Sequence, residues 1–248
     1  MTDAALAAEL AAGAGRILLA LRADSGLEGK ALGAEADRQA NAFLCAALRR
    51  ERPLDALLSE EEKDSAARLS AGRCWIVDPL DGTREYGEGR DDWAVHVGLA
   101  VNGAASDGAV ALPALGLVLR SDSPASMSMP HRRPQLLVSR SRPAPEAEAV
   151  ARIIGGELVP MGSAGAKAMA VVRGEAEIYL HTGGQYEWDN CAPVAVAQAA
   201  GLHVSRADGS PMRYNNPDPY LPDLLICRQE WARPVLAAVA SLELPHDQ

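Results

Sequence analysis

Residues 74 to 83 read Cys74-Trp75-Ile76-Val77-Asp78-Pro79-Leu80-Asp81-Gly82-Thr83, an apolar run ending in two carboxylates three residues apart. The first four residues suit a buried strand, and the Asp-Pro-Leu-Asp-Gly that follows is turn chemistry. The stretch Ala56-Leu57-Leu58 runs into Ser59-Glu60-Glu61 in the same way. Acid at the carboxyl ends of strands marks where α/β sheets place their chemistry. The chain must therefore build a sheet whose strand ends bring carboxylates together, with helices to cover its faces.

Helical periodicity supplies those covers. Leu6, Leu10, Ile17 and Leu21 predict a helix over 3–22, ended by Gly26 and Gly29. Ala40, Phe43, Leu44, Ala47 and Leu48 predict a second over 37–50, stopping before Pro53 and placing Asp37 in its first turn. The Gly-rich stretch 26–35 between them reads as a loop. Residues 93–101, 108–112 and 116–120 suggest an antiparallel meander, and 121–134 a surface connection. Beyond it, strands at 135–138, 177–180, 202–205 and 223–227 alternate with helices at 145–154, 163–173, 190–200 and 230–240. Such mixed ordering favours a layered α/β (α+β) fold over a pure doubly wound sheet. It divides into an N-terminal half, 1–134, and a C-terminal half, 135–248, forming one unit with the site between them.

At 248 residues the chain can bury a large core. Its net charge of -9 excludes a grip on long nucleic acid through phosphates, which needs a Lys/Arg surface. A small phosphorylated substrate remains allowed if bound cations invert the sign of the acidic site. Cys45, Cys74, Cys191 and Cys227 are scattered, with no zinc spacing and no disulfide framework, and read as buried thiols. Asp3, Glu9 and Arg16 interrupt the Ala/Leu-rich N-terminus, so no membrane span is expected and a cytoplasmic location is.

The chemistry concentrates on oxygen ligands. Glu60, Asp78, Asp81 and Asp189 are candidate ligands for Mg²⁺, which prefers near-octahedral oxygen coordination, with the Leu80 carbonyl facing the same cluster. Asp78 is placed to bridge two ions. Gly82 and Thr83 are expected to open a helical turn whose N–H groups seat phosphate oxygens. The Thr83 hydroxyl, bonded to a carboxylate such as Asp37, would orient and deprotonate an attacking water. Each motif alone has a plainer explanation: a turn at 78–82, a solvated acidic loop at Glu60-Glu61-Glu62, a capping Asp at Trp188-Asp189. Their conjunction at strand ends and helix starts is what points to a site.

The segment Trp75 to Thr83, with Ser59-Glu60-Glu61 before it and Glu187-Trp188-Asp189-Asn190-Cys191-Ala192 after it, resembles the two signatures of the inositol monophosphatase superfamily, the Mg²⁺-dependent, lithium-sensitive phosphatases. The similarity covers nearly the whole chain and implies an αβαβα sandwich with two or three Mg²⁺ per site. Arg84-Glu85-Tyr86 after the Asp-Gly-Thr, the turn Gly162-Ser163-Ala164-Gly165-Ala166-Lys167 and Val138-Ser139-Arg140-Ser141 resemble the 3′(2′),5′-bisphosphate nucleotidases of the CysQ type. That implies hydrolysis of the 3′-phosphate of 3′-phosphoadenosine 5′-phosphate, with activity on the 5′-phosphosulfate analogue, in the service of sulfur assimilation.

The resemblance also implies roles. Glu60, Asp78, Leu80, Asp81 and Asp189 would hold metal, with Glu60 also counted among the catalytic groups beside Asp37 and Thr83, and Glu61 in support. Gly82 and Thr83 would hold the scissile phosphate, while Gly162, Ser163, Lys167, Arg140 and Ser141 would border the nucleoside and its second phosphate. Trp188, Tyr186 and Trp93 are the aromatic candidates for stacking on adenine. A homodimer is compatible with such folds. An inositol-1-phosphate or fructose-1,6-bisphosphate phosphatase using the same metals stays open, as does a non-catalytic metal and nucleotide sensor.

Overall fold

The computed structural model describes residues 1–123, 130–141 and 143–242. In chain order the elements are α1 (Asp3–Asp24), α2 (Gly29–Glu51), β1 (Ala56–Ser59), β2 (Arg73–Asp81), α3 (Thr83–Gly87), β3 (Ala94–Val101), β4 (Ala104–Leu112) and β5 (Leu117–Arg120). The second half contributes β6 (Gln135–Ser139), α4 (Pro145–Ile154), β7 (Glu157–Met161), α5 (Ala164–Val172), β8 (Ile178–His181), β9 (Gln185–Tyr186), α6 (Glu187–Ala199), β10 (His203–Ser205), β11 (Tyr220–Leu221), β12 (Leu224–Cys227) and α7 (Gln229–Ser241). One sheet runs β1-β2-β3-β4-β5, the other β10-β12-β8-β6-β7, and β9 with β11 forms a small ribbon.

Strand alternation explains the layering. Trp75 and Val77 of β2 pack with Val95, Val97 and Leu99 of β3 against α1 and α2, while Cys74 and Ile76 turn the other way towards α5 and α6. The second sheet does the same: Tyr179, Leu224 and Ile226 face α5 and α6, and Ile178, Leu180, Leu225 and Cys227 face α4 and α7. The result is the expected five-layer αβαβα sandwich, with α5 and α6 as the shared middle layer. All four cysteines are buried and free.

Several element boundaries differ from expectation. The stretch 26–35 is not a loop: α2 starts at Gly29 and Asp37 lies well inside it. Gly33 is there for close approach, since a Cβ at that position would sit 2.6 Å from Thr83 Cγ2. The strand β7 was not anticipated, because Glu157-Leu158-Val159-Pro160-Met161 carries a proline; it pairs in parallel only with β6 at the sheet edge, where a missing N–H is tolerated. Helix α6 begins at Glu187 rather than 190. Of the surface connection at 121–134, residues 124–129 lie outside the described residues. Helix α1, contrary to the reading of its charges, is long and apolar enough to cross a membrane, with mean hydropathy 1.6. Its apolar side is instead packed on β3, β4 and α2, with Leu6, Leu10 and Leu18 buried.

Candidate active site

The two carboxylates of the opening motif come together through a bulge. In a regular strand, residues three apart point to opposite faces. Here Asp78 pairs with His96 and Asp81 with Ala94, so β2 holds one residue more than β3 between those points. That extra residue returns Asp81 to the side of Asp78, and Pro79, which has no N–H to donate, sits where the ladder is broken. The expected turn is thus a bulged continuation of the strand through Asp81. Gly82 then reverses the chain with φ 90°, a value glycine adopts without a steric penalty, and Thr83 opens α3.

Asp189 arrives from α6. Its Oδ2 accepts the Tyr186 N–H at 2.6 Å, as the acidic third residue of a capping box, which leaves its other oxygen free. Ligand atoms of Asp78, Asp81 and Asp189 all lie within 4.8 Å of one another. From the opposite helical layer, Asp37 of α2 faces Thr83: Oγ1 lies 3.3 Å from Asp37 Oδ2 and 3.0 Å from the Leu80 carbonyl. The hydroxyl has one proton, so only one of these oxygens receives it at a time. Asp37 Oδ1 is buried without a partner. A cavity of about 610 Å³ opens beside the pair, lined also by Lys30, Glu61 and Arg84.

The charges are those of a cation site. Burial first, then Glu60, Asp81, Asp189 and Asp37, push the Asp78 carboxyl far up. Burial and the nearby Glu61 raise Asp37 to about 7 against the Thr83 hydrogen bond. Asp189 rises to about 6 through burial and Asp81. Glu60 rises to about 8, by desolvation and then Asp189, Asp37, Glu61 and Asp81. Glu60 itself stands at the mouth of the site. Hard-oxygen donors this close, with lone pairs free on Asp78, Asp189 and Asp37, fit divalent cations.

Asp81 behaves differently. Burial alone would raise it, yet His96 and the donors at the start of α5 hold it down to about 2. Its Oδ2 accepts from Ser163 Oγ and, at 2.6 Å, from the Gly165 N–H, while Oδ1 accepts only the Ala164 N–H, at 3.1 Å. A lone pair on Oδ1 is therefore left for a cation.

His96 Nε2 lies 3.2 Å from Asp81 Oδ2, and its Nδ1 lies 2.9 Å from the Trp188 carbonyl. Nε2 lacks hydrogen-bond geometry to Asp81 despite that approach, so the pair is a close charge contact, favourable when the ring is an imidazolium. Burial disfavours that charge, but Asp81 outweighs it and the His96 pKa is raised. Only glycine is tolerated at 165, where a Cβ would stand 2.0 Å from Nε2. His96 was not foreseen, because a lone histidine in an apolar strand says nothing until strand register sets it opposite Asp78.

The remaining candidates sit behind or beside this centre. Lys167 is buried, its Nζ donating back to the carbonyls of Met161, Gly162 and Ser163 and lying 5.3 Å from the Tyr179 ring centroid. The Gly162 N–H donates to Asp92. Arg140 pairs with Glu85 and Glu88, each at 2.8 Å, and Ser141 beside it is exposed. Gly82 and Thr83 lie at the turn into α3. Glu61 is exposed at the mouth, near Asp37.

Known proteins match the chain over most of its length. Residues 2–242 match the inositol monophosphatase family. The chain is 51% identical over 254 residues to a 3′-phosphoadenosine 5′-phosphate phosphatase of Mycobacterium leprae, covering 96% of this chain and 93% of that protein. It is 28% identical to the Escherichia coli 3′(2′),5′-bisphosphate nucleotidase CysQ, over 75% of this chain and 80% of that one. The crystal structure of CysQ from Bacteroides thetaiotaomicron superposes with a TM-score of 0.79 at 26% identity, covering 92% of this chain and 97% of that chain. With the family model matched along nearly the whole chain and a 51% identical relative covered almost end to end, the chain belongs to the inositol monophosphatase family.

Proposed function

We propose that this protein is a Mg²⁺-dependent phosphomonoester hydrolase that removes the 3′-phosphate of 3′-phosphoadenosine 5′-phosphate, giving AMP and phosphate. The 3′-phosphate of the 5′-phosphosulfate analogue is within the same reach. The observation that carries the reaction class is the convergence of Asp78, Asp81 and Asp189 within 4.8 Å, beside the Asp37–Thr83 pair. The choice of nucleotide rests on similarity to proteins named for that substrate.

Glu60, Asp78, the Leu80 carbonyl, Asp81 and Asp189 would hold the cations, two or three in number, with Glu61 in support. When bound, the cations neutralise charge on the phosphoryl oxygens and acidify water. The chain's own groups do the rest. Thr83 Oγ1, donating to Asp37, turns its lone pairs outward to accept from the attacking water and orients it towards phosphorus. Asp37, raised to about 7 by burial and Glu61, is suited to take up the released proton near neutral pH. The N–H groups of Gly82 and Thr83 seat the scissile phosphate. Gly162 and Ser163 behind Asp81, with Arg140 and Ser141 at the rim, would border the substrate beyond its scissile phosphate, and Lys167 shapes that border through the turn it braces.

Phosphate release from 3′-phosphoadenosine 5′-phosphate, inositol 1-phosphate and fructose 1,6-bisphosphate at one Mg²⁺ concentration tests the proposal. The nucleotide is expected to have a kcat/KM at least about tenfold above either polyol phosphate. A preference for the polyols would contradict it.

A further inference from the structure

We infer that Tyr186 and Tyr220 form the platform against which the purine ring of the substrate stacks, an inference that rests on the nucleotide reading above. In an in-line displacement the leaving oxygen departs opposite the attacking water. The water-orienting pair Asp37–Thr83 is supplied by the α2–α3 side of the first sheet, whereas Asp189 comes from α6 on the other face. The nucleoside, as leaving group, therefore extends towards the start of α6.

Two large aromatic rings stand exposed there. Tyr186 is 45% and Tyr220 47% exposed. The Tyr186 ring stacks on Trp188, with centroids 4.8 Å apart and planes 9° from parallel, and Tyr220 stands 78° to Tyr186 at 5.9 Å. The two tyrosines thus make an open aromatic corner, a surface every nucleobase can use. Trp93, the other aromatic considered, is fully buried edge-on to Tyr86 and is not available.

The corner is held rigidly to the centre. The Tyr186 N–H bonds Asp189 directly, and Tyr220 pairs with Tyr186 across the β9–β11 ribbon. The fully buried Glu187 carboxylate, unused by the chemistry, accepts the Asn215 N–H at 2.7 Å and both the Asn216 N–H and side-chain amide at 2.8 Å. The Glu187 N–H in turn donates to the Pro219 carbonyl. A buried acid is thereby committed to anchoring the segment that carries Tyr220. Pre-set aromatic geometry of this kind lowers the ordering cost of binding.

The test compares wild type with Tyr186→Ala, Tyr220→Ala and the two Phe variants on 3′-phosphoadenosine 5′-phosphate and on glycerol 2-phosphate, which has no base. Each Ala variant should raise KM for the nucleotide about tenfold, move kcat less, and lower the nucleotide-to-glycerol ratio of kcat/KM by the same order. The Phe variants, which keep the ring, should restore that ratio. An unchanged ratio, or equal losses on both substrates, overturns the platform while leaving the nucleotide reading in place. A wild type that hydrolyses only the base-free ester removes both.

Discussion

At the scale of single residues, the site depends on what surrounds each carboxylate rather than on acid alone. Asp81 stays ionised because His96, Ser163 and two α5 N–H groups face it, while Asp78, with no such donors beyond the Leu80 N–H, is driven towards its neutral form. Removing the Asp81 charge should therefore cost more than one ligand. Asp81→Asn is expected to lower kcat about a thousandfold with a native circular dichroism spectrum, measured by phosphate release; near-normal turnover would remove Asp81 from the centre. The acids themselves were legible, because Asp78-Pro79-Leu80-Asp81 and Glu60 stand at the ends of apolar runs. His96 and the anchoring Glu187 were not, because their partners lie 15 and 28 residues or more away and are set by register and loop path.

Among the elements, several glycines serve close packing rather than turns. Gly29 and Gly33 suggested a loop, yet they belong to α2, and Gly33 lets Thr83 approach. Gly98 of β3 and Gly108 of β4 likewise make room for α6, since a Cβ at 98 would lie 2.8 Å from the Ala192 N and one at 108 would lie 3.1 Å from its Cα. The helix that brings Asp189 is thus seated close to the sheet where these two glycines leave room. Gly98→Ala should lift it and cost about 1–3 kcal/mol in urea unfolding, the usual penalty of overpacking; a change under about 0.5 kcal/mol would show that α6 is not seated there. Periodicity found α1, α4, α5 and α7 closely because their apolar faces repeat. It missed β7 and ended β2 early because proline and aspartate signal a break locally, while pairing at a sheet edge or across a bulge overrides that signal.

For the molecule as a whole, the two sheets share one helical layer, and polar ties join the loops to it. Glu177, 1% exposed, accepts the N–H groups of His131 at 2.9 Å and Gln135 at 2.8 Å, closing the entry to the second sheet. Burial would raise its pKa, but those N–H groups and the His131 ring outweigh it and hold the carboxyl below its ordinary range. A group depressed in the folded state contributes stability that is present above its unfolded pKa and is lost as pH falls through the folded value. Glu177→Gln should thus cost about 1–3 kcal/mol at pH 7, and the gap to wild type should close below about pH 4.3, as read by denaturant unfolding. A gap constant down to pH 3 would show that the charge is not what matters. The layered class was legible because strands and helices alternate irregularly. The sharing of α5 and α6 between both sheets was not, because the apolar run of α5 and that of α6 beyond its polar first turn look like any buried helix until two faces are there to cover them.

The proposed chemistry requires carboxylates remote in sequence to hold divalent cations where a phosphoryl group reacts. Crystals soaked in Mn²⁺, a heavier stand-in for Mg²⁺, and mapped by anomalous scattering test it directly. Peaks are expected within bonding distance of Asp78, Asp81, Asp189 and Glu60, and none at position 81 in the Asp81→Asn protein. Peaks confined to surface carboxylates elsewhere, with this cluster empty at saturating Mn²⁺, would contradict it.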